Sequence, residues 1–253
     1  MEVLTSLKNP RVQLWRSLKD TKARRETGLF LVEGRKLLEE ALAGSFPVEQ
    51  VLVDEAKADS FPVPEGVPCC ALPEHVLAAV CDTRTPQGCA AVVRMPEPRP
   101  VSGRVVALDG VQDPGNVGTI LRTADAAGLD GVLLSQQCAD PFSPKVIRAA
   151  MGSTFHLPVS VVADLPEALR LLKRDGTPVL CSQLDGEPFR EVCRRVAGGS
   201  FCLVIGNEGN GISDPVKALA DLRPRLPMRG RAESLNAAVA AGIMMYGLME
   251  EEE

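Results

Sequence analysis

Short apolar segments alternate with segments of helical spacing through the second half of the chain, and this alternation limits the possible folds more than any other feature. Residues 179–181 and 202–205 are continuously apolar, which is typical of strands covered on both faces. Between such strands, Val117, Ile120 and Leu121 follow the spacing of a buried helical stripe. The pattern predicts an α/β fold, a mostly parallel sheet with helices on both faces.

The first part of the chain predicts a smaller α/β domain. A strand over 29–32, a helix over 34–43 and a strand over 51–53 form a βαβ pattern. Residues 95–103 then contain three prolines and a glycine without apolar periodicity, which is typical of a stiff linker. We therefore predict a small first domain over 1–94, a linker over 95–103 and a second domain over 104–253.

Composition excludes several classes of protein. Hydrophobic residues make up 45% and charged residues 24% of the 253 residues, which indicates a folded globular protein. There is no apolar run near the roughly 20 residues of a membrane span, and the N-terminus lacks the apolar core of a signal peptide, so we expect a cytoplasmic protein without a membrane partner. The eight cysteines form no C-x-x-C pair and only two histidines accompany them, so we expect buried reduced thiols and no metal site.

Positive charge is concentrated at the start of the chain. The net charge is −5, yet residues 1–36 carry nine lysines and arginines against four acids. Residues 14–25 are predicted to form one basic amphipathic helix, which suits contacts to the phosphates of a nucleic acid.

Two loops in the last third of the chain predict a site for a small molecule. An apolar strand over 201–205 leads into a loop with glycines at 206, 209 and 211, where glycine permits positive φ and lets a ligand approach the main chain. A second loop, over 226–236, ends in Ser-Leu-Asn before an apolar C-terminal helix. Two loops that each leave a strand can converge on one ligand.

A third segment, over 108–125, places a loop rich in Gly, Asp and Pro between a strand and a helix, a position where functional groups collect. Arg122 lies about 140° from the centre of the buried stripe of this helix, so it points away from the core. Its side chain either is solvated at the surface or binds a phosphate. Glu208 could likewise be a solvated turn residue, Asn236 a helix cap and Arg148 a surface charge.

Together the three segments resemble the three signature motifs of the SpoU (TrmH) family of RNA 2′-O-ribose methyltransferases, in the SPOUT superfamily. Asn116 and Arg122 stand in the first motif, the Gly-Asn-Glu-Gly-Asn-Gly sequence from Gly206 in the second and Ser-Leu-Asn at 234–236 in the third. The resemblance covers the whole chain, since residues 1 to about 94 are similar to the substrate-binding domain of many members. It implies a C-terminal trefoil knot, S-adenosyl-L-methionine as cofactor and a homodimer whose partner helps complete each site.

The resemblance also implies roles for individual residues. The implied catalytic residues are Asn116, Arg122, Glu208, Ser234 and Asn236. The implied cofactor-binding residues are Ile205, Gly206, Leu226, Met228 and Leu235. It further implies that Val239, Ile243 and Tyr246 of the last helix are divided between core and dimer interface. One departure is visible, because Ala149 and Ala150 follow Arg148 where many relatives place a serine.

The expected activity is methylation of a ribose 2′-hydroxyl in RNA, with ribosomal RNA as the first expectation. Transfer RNA is the alternative substrate, and a catalytically inactive RNA-binding assembly factor on the same fold is the alternative function. A nucleotide-dependent oxidoreductase is disfavoured, because the glycines at 206, 209 and 211 lack the G-x-G-x-x-G spacing.

Overall fold

The computed structural model describes residues 1–61 and 63–250, which form two compact units. Contacts group Met1–Glu97 with Asp140–Phe155 in the first unit and Pro98–Ala139 with His156–Glu253 in the second. The first division falls inside the predicted linker, and residues 95–103 contain no helix or strand. Residues 140–155 group with the first unit although the sequence assigned them to the second domain. The domain boundaries themselves stay a prediction.

The helices and strands follow one another along the chain in a largely alternating order. They are β1 (Glu2–Val3), α1 (Pro10–Ser17), α2 (Thr21–Thr27), β2 (Leu29–Glu33), α3 (Arg35–Ala43), β3 (Val48–Asp54), β4 (Cys69–Leu72), α4 (Glu74–Val80), β5 (Cys89–Arg94), β6 (Arg104–Asp109), α5 (Pro114–Ala126), β7 (Gly131–Ser135), α6 (Pro144–Ala150), β8 (Val159–Val162), α7 (Leu165–Arg174), β9 (Val179–Cys181), β10 (Glu187–Pro188), α8 (Phe189–Val196), β11 (Phe201–Gly206), α9 (Asp214–Lys217), β12 (Pro224–Arg225) and α10 (Ala237–Met249). Two short 3-10 helices span Glu55–Ser60 and Ser153–Phe155.

The sheet of the first unit has the strand order β1-β4-β3-β5-β2. The predicted βαβ unit is present but split, because β5 lies between β2 and β3 and pairs antiparallel with both. The helix α3 therefore connects two parallel strands that do not touch. Sequence periodicity identifies the strands but carries no information on which strand is inserted between them.

The single basic helix expected over 14–25 is instead two helices, α1 and α2, with a break at residues 18–20. The break leaves the carbonyl groups of Leu18 and Lys19 without helical partners, and the Arg24 guanidinium donates a hydrogen bond to each, at 2.7 and 2.8 Å. Arg24 is only 1% exposed and forms an ion pair with Asp140 at 2.6 Å. One of the nine basic residues is therefore structural and cannot contact a nucleic acid.

We expect Arg24→Ala to lower the free energy of unfolding by about 3–5 kcal/mol, because it leaves Asp140 and two carbonyl groups without their partner. Urea denaturation followed by circular dichroism measures the change. Exchanging Arg24→Met together with Asp140→Leu removes both charges and is expected to recover part of the loss. Equal loss in the single and double variants would show that the ion pair is not the cause.

Residues 140–155 belong to the first unit because their apolar side chains pack in its core. The rings of Phe142 and Phe155 lie 5.1 and 6.2 Å from that of Phe30 on β2. Arg148, which the sequence left open as a surface charge, forms ion pairs with Asp82 at 2.7 Å and Glu33 at 3.8 Å. Its role in the described structure is to neutralise these two carboxylates.

The second unit contains one sheet of five strands in the order β8-β7-β6-β11-β9, and every pairing is parallel. This confirms the predicted α/β fold with a parallel sheet flanked by helices. Helices α7 and α9 contribute Leu165, Leu169 and Val216 to a core cluster with β6, β9 and β11. Helices α5 and α10 pack against each other and contact β7 and β11. Parallel strands place their carboxyl ends at one edge, which is where the candidate site lies.

The described cysteines carry no disulfide and five of the eight are buried. Burial raises the pKa of Cys81 to about 12 and that of Cys181 to about 11, so these thiols stay protonated at neutral pH. Within residues 1–61 and 63–250, no helix is long and apolar enough to cross a membrane. The expected cytoplasmic location stays a prediction.

Candidate functional site

A cavity of about 600 Å³ lies at the carboxyl ends of β9 and β11. Three loops form it: residues 182–184 after β9, residues 206–212 after β11 and the segment from 226 to the start of α10. All five residues expected at a cofactor site line this cavity, namely Ile205, Gly206, Leu226, Met228 and Leu235. The two loops singled out in the sequence therefore do converge.

Three polar side chains from distant parts of the chain form a hydrogen-bonded network beside this cavity. The Asn236 Nδ2 donates to Asn116 Oδ1 at 2.9 Å, and the Asn116 Nδ2 donates to Glu208 Oε1 at 2.9 Å. Glu208 and Asn236 also line the cavity. The network joins the three sequence motifs at one point. Glu208 is an exposed residue, and its second carboxylate oxygen accepts no hydrogen bond from any other described residue.

Asn236 is a helix cap, one of the roles considered for it in the sequence, and it also joins the network. Its Oδ1 accepts hydrogen bonds from the backbone nitrogens of Ala238 and Val239, at 2.9 and 3.2 Å, so it is the N-cap of α10. Because the cap uses the amide oxygen, the amide nitrogen is left to reach Asn116. Capping and the network thus use opposite ends of one side chain.

Asn116 is held in the first turn of α5 by a second cap. The Asp113 Oδ1 accepts from the backbone nitrogen of Asn116 at 2.8 Å, and Pro114 occupies the first helical position. The backbone of Asn116 is therefore fixed before its side chain meets Glu208. A fixed first turn allows one short side chain to bridge two others.

The loop after β11 folds back on itself, and this explains its first glycine differently from the sequence expectation. A Cβ on Gly206 would lie closer than 3.0 Å to the carbonyl carbon of Gly211 and to the nitrogen of Ile212, a separation that real Cβ atoms do not show. Glycine is therefore required at 206 because the backbone of residues 211 and 212 approaches it closely, whereas the sequence analysis attributed this glycine to the approach of a ligand. Of the three glycines only Gly211 has a positive φ, at +68°.

Sequence reasoning missed two residues that fasten this loop to the loop after β6. The Asn207 Nδ2 donates to the carbonyl of Gly110 at 2.8 Å, and its Oδ1 accepts from the nitrogens of Gly209 and Asn210. The Asp109 carboxylate accepts from the nitrogen of Ser213 at 2.7 Å. An Asn that bonds its own backbone two residues on is a known turn signal, and it could have identified Asn207.

The remaining expected catalytic residues do not join the network. Arg122 is exposed on α5, as its angular position predicted, and its side chain makes no hydrogen bond or ion pair with any other residue that the structure describes. Ser234 lines the cavity but has no hydrogen-bond partner among those residues. Both side chains are therefore available to a ligand.

The loop after β9 contributes cavity residues that the sequence did not single out. Ser182, Gln183 and Leu184 line the same cavity as the glycine loop, and Leu184 is 65% exposed. Two signals could have indicated them, the position at the end of a buried parallel strand and a large apolar residue in a loop. Among the described residues, no group of three His, Cys, Asp or Glu side chains could hold a metal ion.

Comparison with known proteins identifies similar sequences over both units. The family model described as "SpoU rRNA Methylase family" matches residues 103–246, and the model described as "MRM3-like substrate binding domain" matches residues 9–91. A Bacillus subtilis protein named 23S rRNA (guanosine(2553)-2′-O)-methyltransferase RlmP is 43% identical over 98% of this chain and 99% of its own length. A Synechocystis protein described as an uncharacterized tRNA/rRNA methyltransferase is 35% identical over 96% of this chain and 92% of its own length.

Solved structures are similar over the same extent. The AdoMet-bound rRNA methyltransferase from Sinorhizobium meliloti superposes with a TM-score of 0.86 at 33% identity, covering 98% of this chain and 97% of that one. The methyltransferase AviRb from Streptomyces viridochromogenes, solved with the cofactor AdoMet, gives a TM-score of 0.83 at 28% identity, covering 96% and 97%.

Proposed function

The chain belongs to the SpoU rRNA methylase family, and from that premise we propose that it methylates the ribose 2′-hydroxyl of a guanosine in 23S ribosomal RNA. Use of S-adenosyl-L-methionine and transfer to an RNA ribose follow from the family and from the cofactor-bound structures of its relatives. The nucleoside and the RNA follow the name of the B. subtilis relative, which is similar to this chain over nearly its full length. The single observation that carries the proposal is the Asn236–Asn116–Glu208 network beside the cofactor-sized cavity.

The cavity fits S-adenosylmethionine in size and chemistry. Its volume of about 600 Å³ lies within the usual range for small-molecule sites. Leu226, Met228 and Leu235 supply apolar walls for an adenine ring, while Gln183 and Ser234 supply polar groups for the ribose and the methionine end. When bound, the cofactor supplies an electrophilic methyl group on a sulfonium.

Arg122 is the residue we assign to the RNA phosphate next to the target ribose. A guanidinium carries five N–H donors and no acceptor, so it cannot itself act as an efficient base. Its exposed, unpartnered fork can instead bind a phosphate and stabilise negative charge as the 2′-hydroxyl loses its proton. In this proposal the proton passes to the phosphate or to a water molecule.

The network positions the ribose. Asn116 is held between the cap residue Asn236 and the carboxylate of Glu208, so its orientation is fixed without substrate. The free oxygen of Glu208 can accept a hydrogen bond from a ribose hydroxyl, which orients the sugar. Positioning of this kind can supply a large part of the rate, because the hydroxyl oxygen must be in line with the methyl group.

We expect Asn116→Asp to lower kcat strongly at neutral pH and less strongly at acidic pH. The change sets two carboxylates at the 2.9 Å distance that now joins Asn116 to Glu208, so the pair holds one proton with a raised pKa. Below that pKa the shared proton keeps a hydrogen bond between the two carboxylates, and this bond is lost as pH rises through the pKa. Combining Asn116→Asp with Glu208→Gln exchanges amide and carboxylate and is expected to remove this pH dependence; an unchanged profile in the double variant would contradict the proposed pairing.

A homodimer and a C-terminal trefoil knot belong to this proposal as well. Val239, Ile243 and Tyr246 were expected to divide between core and interface, yet all three are about half exposed, at 51, 47 and 51%. They form an apolar stripe along α10 at helical spacing, while Ala241, Met244 and Met245 of the same helix are buried. A stripe of this kind suits a second copy of the chain. Mass measurement in solution at micromolar concentration tests the dimer.

The proposed function is tested by labelling. The purified protein is incubated with methyl-labelled S-adenosylmethionine and unmodified 23S, 16S or transfer RNA transcripts, and the RNA is digested to nucleosides for mass spectrometry. Label in 2′-O-methylguanosine from 23S RNA is the expected result. Label in transfer RNA alone would change the proposed substrate. Cofactor binding without label would mean that the substrate is missing, such as an assembly intermediate, and RNA binding with neither label nor cofactor binding would favour the inactive assembly factor.

A further inference from the structure

A second cavity, of about 450 Å³, opens at the carboxyl ends of four neighbouring strands of the same sheet. Its lining includes Asp109 at the end of β6, Ser135 at the end of β7 and Asp164 after β8. It shares Asn207 and Gly211 with the cofactor cavity, so the loop over 206–212 is the wall between the two cavities.

The chemistry of the second cavity's lining disfavours binding of a phosphate and favours binding of a neutral polar ring. Its polar residues carry amides, hydroxyls and two carboxylates, and none of the described lining residues is Lys, Arg or His. The carboxylates would repel an anion at short range. The amides of Gln112 and Gln137 make no hydrogen bond with any other described residue and can both donate and accept.

Asp164 has one oxygen in use and one available. Its Oδ1 caps α7 by accepting from the nitrogen of Glu167 at 2.9 Å, which leaves Oδ2 without a hydrogen-bond partner in the part of the chain that the structure describes. A carboxylate oxygen can accept two hydrogen bonds, so Oδ2 can accept from two adjacent N–H donors. Among the four RNA bases, guanine offers such a pair on one edge, at N1 and N2.

The second cavity is lined by residues that neighbour, along the chain, the groups proposed to position the ribose. Gln112 lies just before α5, whose first turn carries Asn116, and Asn207 directly precedes Glu208. The hydrogen bond from Asn207 to Gly110 ties these two segments together at 2.8 Å. A nucleoside whose sugar contacts the network thus has this cavity on one side of the glycine loop and the cofactor cavity on the other.

We propose that the second cavity binds the guanine base of the nucleotide to be methylated, with Asp164 accepting from the N1 and N2 donors and Gln112 and Gln137 contacting the remaining polar edge. The inference rests on the proposed function and adds the residues that choose the base. Recognition of an unstacked base by side-chain hydrogen bonds is the usual mode of sequence-specific RNA binding.

The test uses the full-length protein and a synthetic RNA hairpin that contains the methylated position found by labelling. We expect Gln112→Ala and Gln137→Ala each to lower kcat/KM by about 10-fold, with unchanged affinity for S-adenosylmethionine. Gln136→Ala is the matched control, since Gln136 is exposed, adjacent and outside the cavity lining. An equal effect of all three variants would overturn the proposal.

Inosine at the target position isolates the role of Asp164, because inosine lacks only the N2 amino group of guanosine. The wild-type protein is expected to prefer guanosine over inosine by about 10-fold, and Asp164→Asn, which keeps a helix cap, to lose most of that preference. The same preference in both proteins would remove Asp164 from base recognition.

A 6-thioguanosine at the target position gives a readout besides activity. On irradiation in the presence of S-adenosylhomocysteine, we expect crosslinks to peptides that contain Gln112, Gln137 or Asp164. Crosslinks confined to other peptides, or a labelled nucleoside other than guanosine, would overturn the inference while leaving the methyltransferase assignment intact. Absence of any methylated RNA would instead refute the proposed function, and the inference with it.

Discussion

Arg122→Ala is expected to reduce kcat by about 10²–10³-fold while leaving the affinity for S-adenosylmethionine unchanged. The side chain is exposed, lies outside the cofactor cavity and makes no contact that holds the described structure together. Its removal therefore costs no folding energy and takes away only the proposed phosphate contact. Single-turnover kinetics with labelled cofactor measure kcat, and calorimetric titration measures cofactor affinity.

Arg174→Ala is the matched control, because Arg174 is also an exposed helical arginine, with only a surface ion pair to Glu167 at 3.7 Å. It is expected to keep full activity. Salt dependence adds a second criterion, since loss of one phosphate contact reduces the slope of RNA binding against salt concentration by about 1. Full activity of Arg122→Ala would exclude the assigned role.

Gly206→Ala is expected to weaken cofactor binding by about 100-fold, a loss of about 3 kcal/mol in binding free energy, because the loop backbone is displaced. The added Cβ would clash with main-chain atoms of Gly211 and Ile212, and neither can move as a flexible side chain would. The loop over 206–212 must then open, and it forms a wall of the cofactor cavity. Calorimetric titration with S-adenosylmethionine measures the loss.

Gly209→Ala is the control within the same loop. Its nearest neighbour would be Asn207 Oδ1 at 3.5 Å, and its φ is not positive, so a Cβ is tolerated there. We expect cofactor affinity within a factor of about two of wild type. Comparable losses in both variants would mean that the loop is sensitive to any side chain, and the close approach at Gly206 would lose its special role.

Sequence periodicity predicted the elements that carry the site because each is locally determined. The strand β11 is a continuous apolar run, and α5 has both a proline at its start and a regular buried stripe. The family resemblance grouped the motif residues Asn116, Glu208 and Asn236, and each of them follows or begins such an element. Which of these side chains bonds to which depends on the distances between loops, and a local sequence pattern carries no information on those distances.

The elements that the sequence missed have either weak or nonlocal signals. Helix α8 carries Phe189, Val192 and Val196 at helical spacing, but its arginines and short length conceal the pattern. The break between α1 and α2 is stabilised by Arg24 through a partner 116 residues away, Asp140. A group of basic residues that the sequence places on one helical surface can therefore include a buried residue, as Arg24 is here.

The double use of the Asn236 side chain has a consequence for synthesis of the protein on the ribosome. Because its amide group both starts α10 and completes the network with Asn116, the network cannot assemble until α10 has formed. A nascent chain that has already folded its first unit and most of its sheet still lacks this network. If the network positions the ribose as proposed, a chain without residues 236–249 is expected to be inactive.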